Sequence, residues 1–395
     1  MSFDGNPSGF IESDWGRGPL RYFKTSSGNA YALQVHVSDR KEALAHSLTI
    51  APSESGKTTL FQHLIGGALR HKDLRAYIFD RFNGTKIFTT AVGGSYIDLN
   101  SKNGLQLNPL QCTDTSENRS FLTQFLLRLS GCADDTSLEI AGRAVDLLFK
   151  TPLETRSLKS IYAYVFDTKS DLKLGLKKWV EGPYSKLLNG EIDSLDFTAS
   201  RLMSFEMTDI GQDPVVAAAL TEYFLHRIRS QVRFDASPHM IMIDEATPLL
   251  EDPQFVRQTQ VLFREHRKLR GSINICFQDA SSLFKTGIGE SILNQCQTIF
   301  LFQNLNAKHE DYAPLNLTSS EWAFVKGESA LSKHIRRGVL VKKGRESVIL
   351  NVDMKGLGSL LNIYKSGTEP LKLMRELQAK FKGGEEWINH YLDAF

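Results

Sequence analysis

Short, mostly apolar runs recur along the chain, three of them closing on an acid or an amide. They are Ser47-Leu48-Thr49-Ile50, Leu74-Arg75-Ala76-Tyr77-Ile78-Phe79-Asp80, His239-Met240-Ile241-Met242-Ile243-Asp244-Glu245, Ser272-Ile273-Asn274-Ile275-Cys276-Phe277-Gln278 and Thr298-Ile299-Phe300-Leu301-Phe302. Continuous runs of this length predict strands covered on both faces, as in the middle of a parallel sheet. Leu60 to Leu69 reads as a helix, so strand, loop, helix and strand succeed one another from Ser47 to Asp80 as a βαβ unit. Ahead of it, beyond a polar lead-in over 1–18, Leu20–Thr25 and Ala30–Val37 predict two strands joined by the turn Ser26-Ser27-Gly28-Asn29.

The period changes between Ser116 and Asn189. Phe121-Leu122, Phe125-Leu126 and Leu129 form one helical stripe, and Leu138, Ala141, Val145 and Leu148-Phe149 form another. Two more helices are predicted over Ser157–Phe166 and Asp171–Val180, while Ile87–Leu110 is mixed, with a turn at Gly93-Gly94. The α/β pattern returns with a short strand at Phe205-Glu206-Met207-Thr208 and a long helix opened by Asp213-Pro214. A helix over Phe255–Leu269, a hairpin over Gly338–Val352, and helices over Pro370–Lys382 and Glu385–Leu392 complete the prediction. Leu371, Met374, Leu377 and Phe381 form an apolar stripe expected to dock on the core or a partner. The pattern divides the chain into an α/β core over 1–115 and 200–395 and an all-helical insert over 116–199.

Composition narrows the class. With 395 residues, 41% hydrophobic, 23% charged and a net charge of +2, the chain has an ordinary globular balance and length for a real core. No overall basic excess makes nucleic acid an obligate partner, although a local patch could still bind it. The four cysteines lie far apart, which points to reduced thiols rather than a metal or disulfide framework. No run of about 18 apolar residues predicts a membrane span, and the first residues lack a signal-peptide core. A cytoplasmic protein is expected.

The chemistry concentrates at two places. Ala51-Pro52-Ser53-Glu54-Ser55-Gly56-Lys57-Thr58-Thr59 lies between a predicted strand and a predicted helix, the setting of a phosphate-binding loop. Loop amides and the positive helix end would face the phosphates of ATP, with Ser53, Glu54, Ser55, Gly56, Lys57, Thr58 and Thr59 lining the site. Lys57 would reach the β- and γ-phosphates, and the Thr58 hydroxyl would hold Mg²⁺. Ala51 replaces the usual first glycine, and Glu54 puts a carboxylate into an anion-binding loop. The second place is Asp244-Glu245. At the end of a buried strand, Asp244 would hold Mg²⁺ through a water and Glu245 would orient and deprotonate the attacking water. Two other runs, ending at Asp80 and Asp167, lack the second acid. Gln278, ending the next strand, could hydrogen-bond the γ-phosphate or the lytic water. The helix between them carries Arg257, Arg264, His266, Arg267, Lys268 and Arg270. It reads either as a solvated basic face or as the source of an arginine acting on a neighbouring subunit's nucleotide. Arg267 is the first choice for that arginine, with Arg336-Arg337 competing.

These segments together resemble the C-terminal ATPase domain of the VirB/TrbE/TraC/CagE-type traffic ATPases of type IV secretion and conjugation systems. The resemblance covers nearly the whole chain and is carried by the Tyr31-to-His36 segment, the nucleotide loop and Phe79-Asp80-Arg81-Phe82-Asn83-Gly84. Asn108-Pro109-Leu110, Phe205-Glu206-Met207-Thr208, Ile243-Asp244-Glu245-Ala246, Arg267-Lys268 and the strand ending at Gln278 carry it too. The family usually has glycine where Ala51 and Glu54 stand and an aromatic where Thr247 stands. The resemblance implies a RecA-like P-loop NTPase core with a mainly parallel central sheet and a helical insert. It further implies an ATP- and Mg²⁺-dependent motor that assembles as a homo-hexamer with other secretion-channel proteins, peripheral at the inner membrane. Family members usually carry a separate N-terminal domain, so an excised C-terminal fragment or a split subunit is expected. Two alternatives stand beside the motor: a hexameric DNA-pumping translocase of the coupling-protein or FtsK/HerA-like class, and a structural subunit with weak turnover.

Overall fold

The computed structural model describes residues 8–38, 43–98, 106–164, 170–285, 287–330, 335 and 337–394; the side chains of 164, 211, 253–255 and 257–260 are outside that description. Arg336, the side chain of Arg257 and most of the run ending at Asp167 therefore lie outside the described residues. The chain forms two compact units. One comprises Met1–Ile97, Thr198–Thr208 and Gln231–Phe395, and the other Asp98–Phe197 and Asp209–Ser230.

The first unit is built on a sheet whose strands are, in chain order, β1 (Arg21–Thr25), β2 (Ala30–Leu33), β3 (His46–Ile50), β4 (Arg75–Asp80), β5 (Ser95–Asp98), β6 (Leu202–Glu206), β7 (His239–Ile243), β8 (Gly271–Phe277), β9 (Cys296–Leu301), β10 (Gly338–Lys343) and β11 (Glu346–Asn351). The spatial order is β2-β1-β11-β10-β9-β3-β8-β7-β4-β6-β5. From β9 through β3, β8, β7 and β4 to β6 every pairing is parallel; from β9 to β2 every pairing is antiparallel. Every residue of β3, β6, β7 and β8 is buried, which is why those strands read as unbroken runs rather than alternating ones. Their few polar side chains pair across the ladder: the Asn274 amide donates to Ser47 Oγ at 2.8 Å and Thr49 Oγ1 at 3.0 Å.

Helix α1 (Lys57–Ala68) lays Leu60, Phe61, Leu64, Ile65 and Ala68 into one core with Ala76, Ile78, Met240, Met242 and Phe300. Burying such a face is worth roughly 1.5–3 kcal/mol per large side chain. β2 stops at Leu33, short of the expected Val37. The chain leaves the ladder there because side chains tie it down instead: Gln34 donates to the Gly18 carbonyl at 2.8 Å and His36 meets Asp14 at 2.5 Å. Ser95–Asp98, within the segment read as mixed, is an edge strand beside β6. The C-terminal stripe docks on the core: Leu371 and Met374 close over Ile87 together with Trp387 and Tyr391.

In the second unit the regular elements among the described residues are helical. They include α2 (Ser116–Ser130), α3 (Asp135–Leu148), α4 (Asp171–Val180) and residues 214–230 of α5 (Pro214–Phe234). Thr115, Asp134 and Ser170 cap the first three by accepting from backbone amides in their first turns. Ala141, Ala144, Val145 and Leu148 make the buried face of α3, whereas Leu138, expected in that stripe, is exposed. Trp179 is fully buried and donates its indole N–H to the Leu129 carbonyl at 2.7 Å.

Candidate nucleotide-binding site

The loop after β3 starts from a pinned point. Ala51 is buried and its N–H donates to the Phe277 carbonyl at 2.9 Å, continuing the β3–β8 ladder. A residue in that conformation has no need of a left-handed φ, so alanine serves where the usual pattern has glycine. The loop then turns sharply: Glu54 has φ 61° and Gly56 φ 90°. Glu54 is exposed, so its carboxylate faces solvent. Gly56 opens α1 with no side-chain cap and no acidic residue in the first turn. Among the described residues the first amides of α1 therefore have no side-chain cap, and Ser55 Oγ is buried without a partner. Those unmet donors are what a phosphate group satisfies.

The acidic pair arrives on β7. Asp244 N–H donates to the Phe79 carbonyl at 3.0 Å and Ala246 N–H to the Cys276 carbonyl at 3.0 Å, fixing the segment at the lip between β4 and β8. Lys57 Nζ donates to the Asp244 carbonyl at 2.6 Å and lies 3.3 Å from Asp244 Oδ1. Thr58 Oγ1 lies 3.5 Å from the same Oδ1. Burial pulls the Lys57 ammonium down, but the carboxylates of Asp244 and Glu245 contribute to an opposing pull that leaves it above the ordinary lysine value. Glu245 Oε1 accepts from the Thr247 hydroxyl at 2.7 Å and its N–H at 3.3 Å, so the residue standing in place of the usual aromatic holds the carboxylate. Gln278 Oε1 accepts from Ser53 Oγ at 3.3 Å. Lys57, Thr58, Asp244, Glu245, Gln278 and the loop thus meet at the C-terminal lip of β3, β7 and β8, where open α/β sheets bind ligands. A cation, a hydroxyl, two carboxylates and uncapped amides suit a magnesium-bound triphosphate.

Arg267 is elsewhere. It lies in the last turn of α6 (Pro253–Lys268), just before β8 begins, and so at the N-terminal lip of the strands. There it is exposed and lines a cavity of about 860 Å³ with Lys342 and Arg345. Sequence reasoning passed over Asp80, which ends β4 beside Asp244. It is fully buried, and burial, reinforced by the Asp244 carboxylate, pushes its acid up to about 7. Its own run carried the signal, an apolar strand closing on an acid next to the acidic strand.

No family model matches the chain. A curated type IV secretion system protein, virB4 of Bartonella henselae, is 26% identical over 388 residues, covering 96% of this chain and 48% of the relative. The solved structure of VirB4 of Thermoanaerobacter pseudethanolicus superimposes with TM-score 0.67 at 18% identity, covering 88% of this chain and 97% of that one. The plasmid coupling protein TrwB, solved with the GTP analogue GDPNP, superimposes with TM-score 0.51 at 13% identity, over 86% of this chain and 96% of that one. The sheet order and the loop-and-acid lip define a RecA-like P-loop NTPase fold. Within that class the chain is similar, over nearly its whole length, to VirB4 proteins of type IV secretion systems. It spans about half the length of the curated relatives it matches.

Proposed function

We propose that this domain binds ATP with Mg²⁺ and hydrolyses it to drive assembly of, or transport through, a type IV secretion or conjugation system. The convergence of Lys57 and Thr58 with Asp244 and Glu245 at one lip carries the proposal. Thr58 and Asp244 would hold the metal, which when bound supplies charge neutralisation on the phosphates. Lys57 and the loop amides bind the phosphate chain. Glu245, held by Thr247, takes a proton from the attacking water, and Gln278 hydrogen-bonds that water or the γ-phosphate. In this reading residues 116–199 are an insert in the core formed by 1–115 and 200–395. The motor is a homo-hexamer that meets the inner membrane through channel proteins.

Two variants test the site. Lys57→Ala should abolish turnover, with a loss of at least about a hundredfold. Glu245→Gln should retain ATP binding but stop hydrolysis, so that bound nucleotide recovered after gel filtration is ATP rather than ADP. Turnover unchanged in both would overturn the proposal. Double-stranded DNA that stimulates the wild type, with a steep salt dependence, would favour a DNA pump instead.

A further inference from the structure

Beside the nucleotide lip lies a buried arrangement that the roles above leave unused. Asp80 ends β4, and Glu206 ends the neighbouring β6 in register with it. The Tyr96 hydroxyl donates to Asp80 Oδ2 at 2.7 Å and also contacts Glu206 Oε2 at 2.6 Å. Thr85 N–H donates to Asp80 Oδ2 at 3.0 Å, and Asn83 N–H to Glu206 Oε2 at 2.7 Å. Asp80 Oδ2 is thus satisfied twice. Asp80 Oδ1 is buried and accepts from nothing among the described residues.

That oxygen opens on a space kept clear by a missing side chain. A Cβ at Gly84 would stand 3.2 Å from Asp80 Oδ1 and 3.6 Å from Thr58 Cγ2. The unpaired oxygen and the Thr58 side chain therefore border one small gap, with Asp244 on the adjacent strand. A buried carboxylate oxygen left without a donor is costly unless a ligand or water supplies one. We propose that Asp80 is a positioning residue for the metal: its Oδ1 accepts a hydrogen bond from a water in the shell of the divalent cation held by Thr58 and Asp244. Tyr96 and Thr85 hold the other oxygen and so aim this one. Outer-shell acceptors of this kind typically govern metal affinity by 10–100-fold.

The inference rests on the magnesium-nucleotide reading, and the test separates the two. Mn²⁺ is titrated by electron paramagnetic resonance into protein saturated with ADP, and metal-free ADP binding is measured in parallel. In Asp80→Asn the amide oxygen can still accept from Thr85 and Tyr96, which leaves the NH₂ group facing the gap, a donor where an acceptor is required. Mn²⁺ affinity should fall about tenfold, with metal-free ADP binding unchanged. Gly84→Ala keeps the carboxylate but puts a Cβ into the gap, 3.1 Å from the Arg81 carbonyl oxygen and 3.2 Å from Asp80 Oδ1, and should weaken Mn²⁺ similarly. Wild-type Mn²⁺ affinity in Asp80→Asn would overturn the inference. So would a loss in Tyr96→Phe as large as in Asp80→Asn, since the carboxylate would then act only through local architecture. A wild-type protein that takes up no Mn²⁺ with ADP would sink the parent reading instead.

Discussion

Glu54 shows how one residue can burden both fold and chemistry. At φ 61° its Cβ is crowded against the backbone, a conformation that costs an L-residue about 1 kcal/mol or more. Glycine adopts it freely but loses more entropy on folding, so the net gain from Glu54→Gly should be about 0.5–1 kcal/mol. Urea unfolding should report that gain as a higher midpoint at unchanged slope. Removing an exposed carboxylate from an anion-binding loop should also tighten ATP binding at low salt, with the advantage fading as ionic strength rises. The chain itself announced a carboxylate at this position, but only the backbone turn shows that it faces out. Ala51 is the converse case. Its departure from the usual glycine looked like a defect in the pattern, yet the ladder bond to Phe277 makes the position an ordinary strand end.

At the scale of elements, α6 is pinned to the strands that carry the site. His46 on β3 donates Nε2–H to the Phe263 carbonyl at 2.7 Å and accepts at Nδ1 from Ile273 N–H of β8 at 3.1 Å. His239, which begins β7, meets His266 of α6 at 2.6 Å. Gly271 is required there, because a Cβ would lie 2.1 Å from the His239 ring nitrogen. Protonating His46 would set an N–H against the Ile273 N–H. Burial lowers His46 to about 3 and His239 to about 4 from the ordinary 6.5. Below pH 6.5 the unfolded chain therefore binds protons that the native state refuses. Stability is fully present above that value and falls as pH drops from 6.5 towards 4, by about 1.4 kcal/mol per pH unit for each histidine. A melting-temperature profile from pH 7.5 to 5 should show that decline, and its slope should shrink by about one proton in His46→Gln. The strands themselves were legible because burial on both faces leaves an unbroken apolar signature. This imidazole lattice was not, since it joins side chains from separate segments that no local pattern relates.

For the whole molecule, the sheet and the lysine–acid convergence could be read from the chain because each motif sits at a strand end and a parallel sheet brings like ends together. The edge strand Ser95–Asp98 could not, because it carries no pattern of its own; the run of Asp80 marks a strand end, but its role depends on Thr58, Gly84 and Tyr96, which that run does not relate to it. Arg267 poses the remaining question, standing at the lip opposite Lys57. No motion of a side chain carries it the length of the strands from one lip to the other, so any action on nucleotide must be on that of another copy. A ring with head-to-tail interfaces places one subunit's far lip against the next subunit's near lip. Lys57→Ala then leaves a subunit that is dead at its own site but still supplies Arg267, and Arg267→Ala leaves an intact site that lacks its neighbour's arginine. Mixed in equal amounts, the two inactive proteins should regain roughly a quarter of wild-type turnover, the share of interfaces that pair a sound site with a sound arginine. Turnover should also rise with protein concentration until the ring is complete. If the mixture instead gives only the average of the two variants at every concentration, Arg267 serves no neighbouring site and belongs to the solvated face of α6.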